Sequence, residues 1–140
     1  GNTHEIARID LSGRDAALDG VEIVTMCDID NPMYGPTGAA HVFGPQKGAD
    51  PEMVLVLDAG IKHQGEVIKA DLGMDIALMP GTGAAGAMGA GMVAFFGSRL
   101  QMGIEAVLDT VRFADVIADA DMVFTGEGKI DSQSLRGKVV

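Results

Sequence analysis

A chain of 140 residues, 47% of them apolar, is one domain's worth of sequence and long enough to bury a core, although aromatics make up only 4% and Trp is absent. Its formal net charge of −10 sets it against nucleic acid and anionic membrane surfaces, which repel an acidic protein. The single cysteine excludes an internal disulfide framework, and no apolar run approaches the ~20 residues that span a bilayer. No charged leader followed by an apolar core opens the chain, so the expected compartment is the cytoplasm.

Residues 5–10 alternate in polarity and suit either a short strand or a helix end. Asp15 to Gly20 reads as a polar connection, and Val21 to Cys27 (VEIVTMC) is β-branched and bounded by turn formers, which predicts a strand. That strand empties into Asp28-Ile29-Asp30-Asn31-Pro32. Gly35 to Gly48 is punctuated by Gly and Pro, with room for one helical turn near Ala39 to Phe43.

A helix is predicted over 51–69. Asp50 can cap it, Pro51 suits its first position, Glu52 lies in its first turn, and Val54, Leu57, Ile61 and Ile68 recur at helical spacing. Ile76 to Met79 reads as a short strand stopped by Pro80-Gly81. Ala84 to Phe96 reads as a helix of small residues, followed by helices over Ile104 to Val111 and Phe113 to Ala118. Met122 to Thr125 reads as a buried strand leading into Gly126-Glu127-Gly128-Lys129. Alternating strand and helix signals imply a single layered α/β domain over 1–140, without repeats or flexible linkers.

Four segments carry possible chemistry. Gly81, Gly83 and Gly86 match G-x-G-x-x-G, and Glu105 lies near the offset of a ribose-binding acid. The strand before them is short and interrupted by Pro80, however, which leaves two other readings: glycines for close helix packing, or a helix start offering amides to an anion. No Walker A sequence is present. Asp28, Asp30 and Asn31 follow a strand, where ligands collect in α/β sheets, and could hold Mg²⁺ or a substrate hydroxyl; the same residues also make an ordinary turn. Thr125, Glu127, Lys129 and Asp131 stand in the same relation to the last predicted strand. Lys47 could neutralise a phosphate, or be plain surface. Cys27 reads as a small buried hydrophobe, and Met74, Met79, Met88, Met92 and Met102 read as core filler.

In combination these segments resemble the glycerate kinase type-1 family. The similar stretches are CDIDNP at 27–32, VFGPQKGA at 42–49, PGTGAAG at 80–86 and TGEGKIDSQS at 125–134, in the family's order, with ARIDL at 7–11 also similar. The resemblance implies phosphoryl transfer from ATP to D-glycerate with Mg²⁺, in a fold of two α/β domains, one inserted in the other, with the site in the cleft between them. It implies Asp28, Asp30, Asn31 and Glu127 as catalytic residues, and Lys47, Gly83, Thr125 and Asp131 as substrate or phosphate contacts. The family's opening Asp-Ser-Phe-Lys-Gly has no counterpart here. The chain is therefore expected to be a central fragment, folded but without significant kinase activity. The alternative expectation is a non-catalytic module binding a nucleotide or acidic metabolite around the Gly81 to Gly86 loop.

Overall fold

In the computed structural model, residues 2–126 are described. Two short strands, β1 (Val24–Met26) and β2 (Arg99–Gln101), pair in parallel with Val24 opposite Arg99 and Met26 opposite Gln101. The ladder runs on at both ends, through Arg99 N–H to the Ile23 carbonyl at 3.0 Å and Cys27 N–H to the Gln101 carbonyl at 2.8 Å. Between the strands the chain makes a long helical crossover of α1 (Ala39–Phe43), α2 (Pro51–Leu72) and α3 (Ala84–Phe96); α4 (Gly103–Thr110) and α5 (Phe113–Val116) follow β2. Single 3₁₀ turns occupy Thr3–Glu5, Ala16–Leu18 and Pro45–Lys47. A parallel pair joined by helices is an α/β arrangement.

The capping chemistry read from the sequence starts α2. The Asp50 carboxylate accepts the Met53 N–H at 2.8 Å, Pro51 occupies the first turn, and Gly73, with φ of 69°, ends the helix in the left-handed region. Val54, Ile61 and Ile68 face the core at helical spacing, joined by Val67. They pack with Met33, Ile76 and Ala77 against Ala87, Ala90, Val93 and Ala94 of α3. Met33 and Ile68 are fully buried, as is Thr82, whose hydroxyl donates to the Met79 carbonyl at 2.6 Å.

Several expectations are corrected. The strand expected over Val21 to Cys27 is confined to Val24–Met26. Ile76 to Met79 is not a strand but a turn: Ile76 and Ala77 are buried in the helical core, and the Met79 N–H returns to the Ile76 carbonyl at 3.0 Å. The strand expected at Met122 to Thr125 is not one of the two strands of the described sheet, and Phe124 is 89% exposed there. Strand β2 was not foreseen, since Arg-Leu-Gln carries little β-branched signal. The methionine stripe is not core filler as a whole. Met79 is exposed on the turn before α3, Met88 is exposed because α3 meets its neighbours through Ala and Val, and the fully buried methionine is Met33.

The head of α3 departs from a regular helix. Ala85, Gly86 and Ala87 have φ of 50°, 70° and 72°, three consecutive left-handed residues. For an alanine that conformation costs about 1–2 kcal/mol, so surrounding contacts must hold it. Ala87, 2% exposed, is held in the core, while Ala85 is at the surface.

Candidate active site

Parallel strands deliver the segments after them to one edge of the sheet, and the motif after β1 meets the chain after β2 there. Asp28 follows β1, and its Oδ1 accepts the Gly103 N–H at 2.8 Å. The carboxylate thereby satisfies an amide at the start of α4, where helix N–H groups have no partner within the helix and negative charge is favoured. Asp28 is exposed, and its Oδ2 has no hydrogen bond or ion pair among the described residues.

Asn31 braces the loop in two ways. Its side-chain amide donates to the Thr37 carbonyl at 2.8 Å, and its own carbonyl accepts the Gly83 N–H at 2.9 Å. A Cβ at Gly83 would overlap the Pro32 carbonyl oxygen, so residue 83 is glycine because two backbone segments touch there. The Gly83 amide is already engaged by Asn31 and is not open to a phosphate. This matters for a binding module built around Gly81 to Gly86, which would lose one of its amides.

Cys27, Asp30, Gly81, Arg99, Gln101 and Glu105 are among the residues around an open cleft of about 300 Å³ at this edge. Cys27 is buried, as expected, with Sγ 3.3 Å from the Ile29 carbonyl. Asp30 is thus brought to the cleft, whereas Asp28, Asn31 and Lys47 are not among its lining residues. Lys47 sits exposed on the 3₁₀ turn after α1 and has no ion-pair partner among the described residues. Thr125 is exposed and lies in neither helix nor strand. Glu127, Lys129 and Asp131 lie outside the described residues.

Three cleft residues were missed or misread in the sequence. Arg99 and Gln101 belong to the unforeseen strand, and a period-two polar pattern around Leu100 was the available signal. Glu105 drew notice only as a ribose-binding acid, yet lines the cleft from the first turn of α4. Among the described residues, Arg99 is the one basic residue around it. No cluster of three or more His, Cys, Asp or Glu suited to a metal ion occurs among the described residues. Mg²⁺ asks for less, being held by one or two carboxylates together with substrate phosphates, and Asp30 and Glu105 fit that donor set. No helix among the described residues is long and apolar enough to cross a membrane.

The Glycerate kinase family matches residues 1–140. The chain belongs to this family. A glycerate kinase of Halalkalibacterium halodurans is 45% identical over 138 residues, which cover 99% of this chain and 36% of that protein. The glycerate 2-kinase of Escherichia coli K12 is 46% identical over 139 residues, with the same shares covered. A crystal structure of a Salmonella typhimurium LT2 protein described as glycerate kinase 2 superposes with a TM-score of 0.84 at 47% identity, covering 95% of this chain and 36% of that one. The chain therefore spans little more than a third of the length of the relatives it matches, at 36%.

Proposed function

We propose that this chain is part of an ATP-dependent kinase that phosphorylates D-glycerate, and that residues 1–140 form a single α/β domain of a longer, two-domain protein with one domain inserted in the other. The observation that carries the reading is membership of the glycerate kinase family across the whole chain, joined to an acid-lined cleft where the CDIDNP loop leaves its strand.

In this reading Asp30 accepts the hydrogen bond of the glycerate hydroxyl and orients its oxygen toward the γ-phosphorus of ATP. Asp28 and Asn31 set the loop that carries Asp30, the first by capping α4 and the second by bracing against Thr37 and Gly83. Asp30 and Glu105 would hold Mg²⁺, which when bound neutralises charge on the phosphate oxygens. Lys47, Gly83, Thr125, Glu127 and Asp131 remain candidates of the same site, with Gly83 acting through backbone packing. The compartment is the cytoplasm, and the partners are small molecules, not nucleic acid or membrane.

Phosphoryl transfer depends on holding phosphates, metal and acceptor in one geometry, so a chain spanning about a third of its relatives supplies only part of the arrangement. Glycerate-dependent ADP release by the full-length protein, with the 140-residue chain assayed beside it, tests this. An active full-length protein and a silent chain are expected. A full-length protein indifferent to glycerate overturns the kinase reading, and turnover by the chain alone overturns the requirement for the rest.

A further inference from the structure

We infer that Arg99 is the specificity residue of the cleft, the group that takes the carboxylate of the hydroxy-acid substrate. The inference rests on the kinase reading above and goes beyond it in assigning the anion anchor. In a protein with a net charge of −10 whose cleft presents Asp30 and Glu105, Mg²⁺ held there would answer the phosphates, and the substrate carboxylate calls for a cation of its own. Lys47, which the sequence offers as a phosphate or substrate contact, is not part of the cleft lining; Arg99 is.

The guanidinium is held ready. Arg99 and Gln101 project from the same face of β2, two residues apart. The Arg99 Nη1–H donates to Gln101 Oε1 at 3.0 Å, and Gln101 Nε2–H donates to Asp109 Oδ2 on α4 at 3.0 Å. An Asp109–Gln101–Arg99 relay therefore fixes how one edge of the planar fork is turned. The other edge, through Nη2, faces the Glu22 carboxylate at 3.8 Å, beyond hydrogen-bond distance. Glu22 is 82% exposed and Arg99 59%, so this pair is a weak surface contact. A substrate carboxylate arriving at Nη2 exchanges one carboxylate for another and gains the short, charge-assisted hydrogen bond that Glu22 does not make. Arginine suits this role because its fork matches carboxylate geometry where a lysine offers a point charge.

The test uses the full-length protein and separates the two substrates. Arg99→Gln should raise KM for glycerate at least tenfold while KM for ATP moves less than twofold. Arg99→Lys should fall between it and the parent. Gln101→Leu, which keeps the cation but frees its orientation, should raise KM for glycerate several-fold. Glu22→Gln is the control: it removes the surface pair and should leave KM for glycerate unchanged or lower. An unchanged glycerate KM in Arg99→Gln overturns the assignment, as does a rise confined to ATP, which would make Arg99 a phosphate contact. A Glu22→Gln variant that reproduces the Arg99→Gln defect also overturns it, by showing that the ion pair alone matters. If Arg99→Gln fails to fold, the Lys and Leu variants decide by the same readout. Failure of the kinase reading is distinct, since the unmodified parent would then neither turn over nor bind glycerate by calorimetry, and the assignment falls with it.

Discussion

The Asp28 carboxylate accepts the Gly103 amide at 2.8 Å across 75 positions of sequence, and so ties the end of β1 to the start of α4. An asparagine at position 28 presents the same acceptor oxygen without the charge, whereas alanine presents none. Asp28→Ala should lower stability by about 1 kcal/mol, the ordinary cost of a lost cap, and Asp28→Asn by less. Chemical denaturation measures both. In the full-length enzyme a positioning role predicts that Asp28→Asn keeps most of kcat, while a direct hold on metal or hydroxyl predicts a loss of orders of magnitude.

Gly83→Ala introduces a methyl group into the Pro32 carbonyl and pushes apart the two segments joined by the Gly83 N–H to Asn31 carbonyl bond. Overpacking against backbone costs about 1–3 kcal/mol, so the midpoint of denaturation should fall accordingly. Unchanged stability would mean that the two loops are free to separate.

Ala85 carries its left-handed conformation at the surface, with φ of 50°. Ala85→Gly removes the Cβ strain and should stabilise the chain, by about 0.5–1 kcal/mol after glycine's larger entropy loss on folding is subtracted. A higher melting temperature is the expected result. A lower one would show that this turn is not held left-handed in solution.

Ile68 is fully buried where α2 meets the core around Met33. Ile68→Ala should cost about 2–5 kcal/mol through lost transfer energy and the cavity left behind. Val56→Ala, on the exposed side of the same helix, should stay within about 0.5 kcal/mol of the parent.

Two exposed contacts give the pH dependence its sign. The hydrogen bond and charge of Asp75 raise the Lys69 pKa, so the stability this pair contributes is present below lysine's ordinary range and is lost as pH rises through the elevated value. The Ser12 backbone and side chain lower the Asp10 pKa, so that contribution is present above the ordinary carboxylate range and is lost as pH falls through the lowered value. Asp75→Asn should therefore flatten the alkaline limb of a stability profile, and Asp10→Asn the acid limb.

What the sequence determined by itself was local. Helix α2 was legible with its start, because Asp50, Pro51 and Glu52 act within one turn and the apolar period needs no distant partner. Its end is less so: the apolar period stops at Ile68, whereas the helix runs three residues past 69, to Leu72, before Gly73 ends it. The ordered motifs also sufficed for the family, which the match over residues 1–140 bears out.

Tertiary structure decided the rest, because those features depend on partners far along the chain. Arg99–Gln101 is a strand only because Val24–Met26 lies beside it, while Met122 to Thr125, the better β-former, lies in neither helix nor strand. The Gly81 to Gly86 loop suggested amides facing an anion, but the Asn31 carbonyl takes the Gly83 amide. Arg99 and Asp30 share a cleft because parallel pairing brings together segments some 70 residues apart, a proximity that neither local composition nor spacing encodes.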